Sequence, residues 1–361
     1  MLVIRKNYPM LDIIRYVAAV SVILIHCGKL VDNELVHFFL KSTFARLAVP
    51  LFLISTSYFL KKGMNTHPEY GKNYFFKQGK QYLFWSLIYL PYGIHYLYAM
   101  NLSPVLYPIG LLVGLLYIGT CYHLWYFPAL FSSIFLTNFI KKRRNYLFLL
   151  AISGGLFLVG ASETYSSFLE NTFLQTYYTS LHNFVLTTRN GLFYSFIYVV
   201  LGYLIADFEQ SKFFKTRVNL KLFLSLVLFS LECIVIFNNQ GADKNFSLSS
   251  PFVVTFLFIS LLQSNTLKNS NFFLLRQYSR YLFFLHPLFL EVIKWFIGYY
   301  GIQVNGLSLF FSTFFLTTLF SAVILYKEIM TVPIKKSLFL WSKNKLSALS
   351  LKVQKRVRSI E

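Results

Sequence analysis

The sequence predicts an all-α polytopic membrane protein, and three observations predict it. Hydrophobic residues make up 56% of the 361 and charged residues 13%, against roughly 45–50% and 25% in soluble domains. Mean hydropathy is +0.55. The apolar residues come in blocks of about 15–22, separated by short polar or basic stretches, as membrane-crossing helices do. No stretch has the composition of a separate water-soluble domain. A cytosolic enzyme, a secreted disulfide scaffold and a disordered chain are all excluded.

The first apolar block, residues 10–30, follows Arg5 and Lys6 like a signal peptide. No small-residue cleavage site comes after it, so it reads as a retained first helix. Further blocks fall at residues 46–60, 82–99, 105–118, 123–140, 146–161, 191–206, 220–237, 251–263, 281–299 and 307–326. Cytoplasmic loops are enriched in Lys and Arg. With the N-terminus inside, the five lysines between 61 and 80 lie inside. If block 105–118 crossed, Lys141, Lys142, Arg143 and Arg144 would fall outside. That block is short, begins near Pro104 and Pro108, and carries Gly110, Gly114 and Gly119. It reads as a re-entrant or interfacial helix. The expectation is about ten transmembrane helices plus this one, with both termini cytoplasmic. Residues 1–330 form the membrane domain, and 331–361 form a basic amphipathic tail that meets anionic lipid on the inner leaflet. The longest external stretch, residues 162–190, is placed to cover a substrate site. No internal repeat is visible.

The net charge of +21 arises from 34 basic and 13 acidic residues. The basic residues sit in short clusters between apolar blocks, the pattern of membrane loops, so nucleic acid is not the expected partner. Cys27, Cys121 and Cys233 have no metal-ligand spacing and read as buried inert thiols. No metal site is expected.

Ionisable groups inside spans are the best functional pointers, since each costs at least about 2.5–3.5 kcal/mol at mid-helix without a cavity or a partner. Arg15 and His26 share the first helix. Their separation is about three turns, which puts both on one face roughly 16 Å apart. A permanent guanidinium suits phosphate or carboxylate, and an imidazole suits proton transfer. The plain alternative pairs Arg15 with Asp12 one turn away and makes His26 an interhelical hydrogen bonder. His123 and Trp125 open another span at the outer interface, where anchoring or orientation of a substrate hydroxyl both fit. Arg46 and Arg189 stand at outer ends of spans, and His286 precedes Pro287 with Glu291 and Lys294 on the same helix. There is no P-loop, nucleophile elbow, zincin motif or dinucleotide fingerprint, so an enzyme of this kind takes its activated group from a soluble donor.

Four elements in order resemble the acyltransferase-3 family of membrane proteins. Arg15 and His26 within Leu11-Asp-Ile-Ile-Arg-Tyr-Val-Ala-Ala-Val look like its opening helix. Arg46-Leu-Ala-Val-Pro-Leu-Phe-Leu-Ile-Ser-Thr-Ser resembles its second, with Ser57 where a glycine is common. His123-Leu-Trp-Tyr-Phe-Pro-Ala-Leu and Tyr281-Leu-Phe-Phe-Leu-His286 resemble its later signatures. His123-Leu-Trp-Tyr-Phe-Pro and Arg189-Asn-Gly-Leu-Phe also resemble the membrane part of the vancomycin-resistance serine racemases, without the racemase domain that follows there. The resemblance implies transfer of an acyl group, usually acetyl, from cytoplasmic acetyl-CoA to a hydroxyl of a surface glycan or glycolipid, in a bacterial inner membrane. His26 is then the general base, or the carrier of the acyl group, and Arg15 anchors the CoA. Arg46, His123, Trp125, Arg189 and His286 are candidate binding residues. Two other classes compete: a carrier for a small amino acid or acylated compound, and a membrane anchor for a cytosolic partner.

Overall fold

The computed structural model describes residues 7–330, and every regular element among them is helical. The proposed tail at 331–361 lies outside the described residues. Apart from one-turn pieces, the helices are α1 (Pro9–His26), α2 (Glu34–Thr66), α3 (Tyr70–Ile88), α4 (Leu90–Ala99) and α5 (Pro104–Ile118). They continue with α6 (Tyr126–Lys141), α7 (Tyr146–Ala161), α8 (Leu174–Val185), α9 (Ser195–Phe208) and α10 (Val218–Asn238). The last three are α11 (Ser250–Gln263), α12 (Phe273–Tyr300) and α13 (Gly306–Met330).

Five of these, α1, α2, α10, α12 and α13, are long and apolar enough to cross a bilayer. The other apolar helices are shorter, and their packing says why. The 14-residue α9 rises only about 21 Å, less than the roughly 30 Å hydrocarbon core. Its Phe196, Tyr198, Val199, Val200 and Tyr203 are almost wholly buried. It sits inside the bundle, shielded by its neighbours. The longer α10 and α13 form the wall, presenting Phe223, Leu231, Ile234, Phe311 and Phe315 outward at more than half exposure. Side chains of that kind suit lipid and would aggregate in water. The chain is a multi-pass membrane protein.

Packing is closest between α2 and α9. Gly202 permits it, because a Cβ there would meet the Ser57 hydroxyl at 2.0 Å and the Ile54 carbonyl at 2.6 Å. Ser57 is therefore matched by a glycine on the facing helix. Helices α1 and α12 run parallel. Asp12 meets Arg276 near their starts, and His26 at the end of α1 meets His286 further along α12.

Three regions depart from the sequence expectation. Residues 82–99 were expected as one span, but the chain breaks at Tyr89 between α3 and α4, with Pro91 in the first turn of α4. Helix α2 begins at Glu34, well before the expected start at 46. It passes through a π-helical stretch, Phe39–Phe44, and a 3-10 turn, Ala45–Leu47, before turning regular. Pro50 supplies a physical reason, since it has no N–H to give the Arg46 carbonyl and its ring crowds that carbonyl. Helix α12 starts at Phe273 rather than 281, so Arg276 and Arg280 belong to the helix and not to a loop.

Candidate active site

Three histidines from distant parts of the chain converge where α1, α12 and the α5–α6 connection meet. The His26 and His286 rings stack at 5.7 Å between centroids, tilted by 21°. His123 lies 5.5 Å from His286, edge-on. Tyr122 closes the group, 4.4 Å from His26 and 6.0 Å from His123. Tyr89 and Phe283 pack on His123 from the other side, at 4.9 and 5.2 Å.

Each ring is set by local backbone features. His26 is the last residue of α1. His123 sits in a tight turn after Gly119, whose φ of +82° favours glycine. A Cβ at Gly119 would also meet the Trp125 amide nitrogen at 2.4 Å. His286 precedes Pro287, which interrupts the hydrogen-bond ladder of α12. Tyr89 inserts into that interruption: its hydroxyl donates to the Phe284 carbonyl at 2.5 Å and accepts from the Leu288 N–H at 3.2 Å. The α3–α4 break thus braces the α12 proline directly beside His286.

Most nitrogens in the group are uncommitted. His286 pairs Nδ1 with the Leu282 carbonyl at 2.8 Å, but its Nε2 has no partner. Donation from Nδ1–H leaves Nε2 with a lone pair. Neither nitrogen of His123 has a partner, nor does the Tyr122 hydroxyl. No hydrogen bond joins His26 to any described residue. His286 is 0% exposed and His123 3%, so solvent does not satisfy them. A buried polar group without a partner costs about 1–3 kcal/mol. Most other such atoms are single hydroxyls scattered over the chain, whereas three imidazole nitrogens and a phenol gather here, and that grouping points to function. Cys121 lies beside the group, with burial pushing its thiol up to about 12.

Arg15 occupies the other end of the α1 face. Its Nε donates to the Ser55 hydroxyl at 3.2 Å, and its guanidinium carbon lies 5.2 Å from the centroid of the Phe59 ring. Among the described residues its other two nitrogens make no hydrogen bond. Asp12 does not take them, because both its carboxylate oxygens accept from Arg276, at 2.8 and 2.7 Å. The Arg15–Asp12 pairing that the sequence allowed is therefore not what the chain does. Tyr126, hydrogen-bonded to Thr56 at 3.2 Å and packed 5.8 Å from Phe283, helps line the interval toward the histidines.

The remaining candidates divide. Trp125 packs edge-on against Tyr194 at 5.6 Å, joining the main apolar core rather than an interfacial belt. Arg46 and Arg189 flank Asp243 and Asn245 in a polar network near the His26 end of α1. The Arg189-Asn-Gly-Leu-Phe stretch is held by Asn190, whose side chain accepts from Leu192 N–H and Phe193 N–H at 2.8 and 3.0 Å. The same side chain donates to the Tyr117 hydroxyl at 2.8 Å. The Ser133 hydroxyl donates to the Gly191 carbonyl at 2.7 Å, tying this stretch to α6. Asn190 and Gly191 shape the turn, and Arg189 rides on it. Sequence reasoning missed Tyr89 and Tyr122, because nothing in the local pattern separates them from the other tyrosines among the chain's 26. It also missed Arg276, which lies just before the expected start of the apolar block at 281.

The model of the acyltransferase domain family matches residues 8–326. The chain belongs to the acyltransferase-3 family. Among its relatives are a serine/alanine racemase of Enterococcus gallinarum, 27% identical over 93% of this chain and 49% of the relative, and an amino-acid racemase of Enterococcus faecalis, 26% identical over 82% of this chain and 43% of the relative. The acyltransferase-3 chain thus spans about half the length of these curated relatives. No solved structure matches it. The family match covers α1 through most of α13, and so includes Arg15, all three histidines and both flanking arginines.

Proposed function

We propose that the chain is a membrane O-acyltransferase that moves an acyl group, acetyl foremost, from cytoplasmic acyl-CoA to a hydroxyl of a cell-surface glycan or glycolipid. The observation that carries this reading is the convergence of His26, His123 and His286, with unpaired ring nitrogens, on the α1 face that also holds Arg15. The arrangement fits ten crossings with both termini inside, since Arg15 then lies toward the cytoplasm and His26 beyond it. The membrane is a bacterial inner, cytoplasmic membrane, and the basic sequence of residues 331–361 has the composition to meet its anionic lipid.

In this mechanism the two free nitrogens of Arg15 hold a phosphate or the pantetheine arm of the acyl-CoA. The thioester then reaches toward His26. A neutral His26 removes the proton of the acceptor hydroxyl as its oxygen attacks the thioester carbonyl. The tetrahedral intermediate collapses by breaking the carbon–sulfur bond, and the proton held by His26 passes to the departing CoA thiolate. No metal is required. Transfer through an acyl-histidine is the two-step variant.

One observation favours a second reading. The relatives are named for racemisation of serine, alanine or amino acids, and this chain corresponds to about half of each. A carrier of a small amino acid along the Arg15–His26 face follows from that. The two readings separate in proteoliposomes given labelled acetyl-CoA and envelope glycans or glycolipids. Label on a glycan with the native chain, lost in His26→Ala and Arg15→Ala, supports acyl transfer. Amino-acid uptake without any turnover of acetyl-CoA overturns it in favour of the carrier.

A further inference from the structure

Next to the histidines, on the His26 side, the chain gathers more positive charge than it neutralises. Arg46 sits in the 3-10 turn between the π-helical and regular parts of α2. Its Nη1 donates to the Asn245 side-chain carbonyl at 2.5 Å, a neutral partner, and its buried Nε has none. Arg189 reaches the same place from the turn before α9. Its Nε lies 3.9 Å from Asp243 Oδ2, too long for a hydrogen bond, and is likewise buried without one. Asp243 is the carboxylate acting on Arg46. It already accepts from the Thr164 hydroxyl and the Asn245 N–H, each at 2.8 Å, and from the Asn245 side-chain amide. One heavily hydrogen-bonded carboxylate therefore serves two guanidiniums. Both guanidiniums, together with Lys294, lie close enough to act electrostatically on the His26 ring.

The other buried carboxylate nearby, Glu163, is taken by the Thr188 N–H and hydroxyl and faces His182. Arg46 and Arg189, with Lys244 beside them, therefore still outnumber Asp243 and Glu163. Burial makes such a surplus expensive unless an anion completes it. Nearby, Lys244 and Ser247 line a small recess together with Arg46 and Asn245. The irregular winding of α2 at this point also suits a functional site, since π and 3-10 segments inside α-helices concentrate there. We infer that Arg46 and Arg189 form a binding site for the anionic group of the acceptor, a carboxylate or phosphate carried on the same molecule as the hydroxyl presented to His26. This rests on the acyl-transfer reading and narrows it, since a neutral glycan would leave both arginines unanswered. Planar, forked guanidiniums match either oxyanion.

The test measures binding, which needs no turnover, with paired probes on the purified full chain in detergent. Methyl glucuronide is compared with methyl glucoside, and glycerol 3-phosphate with glycerol, by calorimetry and by the shift in melting temperature. The expected result is that an acidic probe binds at least tenfold more tightly than its neutral partner, and that Arg46→Gln and Arg189→Gln each lose about tenfold or more of that binding. Arg46→Lys, which keeps the charge, recovers part of it. Glucuronide alone binding assigns a carboxylate, and glycerol 3-phosphate alone assigns a phosphate. Equal binding of acidic and neutral probes overturns the site, as does acid binding untouched in Arg189→Gln, a half-exposed position where the fold is not at stake. Failure here with intact acetyl transfer to a neutral glycan sinks the anion site and leaves the acyltransferase standing. Loss of transfer with intact anion binding does the reverse.

Discussion

Helices α1 and α12 touch at two levels, and the two levels are built on opposite principles. Near their starts, Asp12 and Arg276 form a bidentate ion pair with both carboxylate oxygens engaged. Near the end of α1, His26 and His286 stack with Nε2 of His286 unpaired and His26 without a hydrogen bond. The first level spends its polar groups on holding the helices in parallel register. The second keeps them in reserve. Other charged groups on the Asp12 side follow the first rule: Asp207 accepts from Lys141, Tyr146 and Asn65, and Glu209 pairs with Lys62 at 2.8 Å. Between these two helices, the saturated ion pair holds structure and the unsaturated imidazoles form the candidate site.

If that division is right, substitutions at the two levels fail in different ways. The largest effect is expected at His26. His26→Gln lowers acyl transfer by about 10²–10⁴-fold, the usual contribution of a general base, with little change in melting temperature. An activity loss matched by a large drop in melting temperature would place His26 among the structural groups instead. Asp12→Asn should show the converse, with stability lost first. A fully enclosed ion pair costs about 3–5 kcal/mol when one partner is removed. Arg276 keeps 42% of its side chain exposed, so the expected loss is somewhat smaller. Unfolding in denaturing detergent reads it, and kcat per folded molecule should hold near the native value.

Much of this was legible in the sequence, for a physical reason. The Arg15–His26 spacing fixes a shared face whatever surrounds it, because helix geometry does so locally. Hydropathy likewise marks α10 and α13, which face lipid along their whole length. What the sequence concealed depends on neighbours. Arg276 and Arg280 look like a loop because charge argues against a span, yet Asp12 and Glu328 take them up inside α12. His123 reads as an interfacial anchor, while the Gly119 turn folds it into the histidine cluster. Short helices such as α9 look like spans by composition, though their burial comes from protein and not from lipid. Periodicity reports an element's own faces and is silent about which partner each face meets.

Tyr89 lies between the two principles and sharpens the comparison. Its hydroxyl is fully engaged, with the Phe284 carbonyl and the Leu288 N–H, yet what it braces is the turn that carries His286. Tyr89→Phe removes two hydrogen bonds, each worth about 0.5–1.5 kcal/mol, but the freed Leu288 N–H and Phe284 carbonyl can close on each other within α12 and recover part of that. A small drop in melting temperature is expected with a clear fall in kcat at unchanged KM for the acyl donor, as His286 loses its fixed orientation. A fall in stability with kcat intact would make Tyr89 purely structural. The weakest effect belongs to Lys29 and Glu34, paired at 2.5 Å but 54% and 66% exposed. Solvent and salt screen such a pair, so Lys29→Ala should leave both melting temperature and acyl transfer at native values. A measurable loss of transfer would instead extend the site out to the α1–α2 loop, and the saturated pair there would be the first exception to the division.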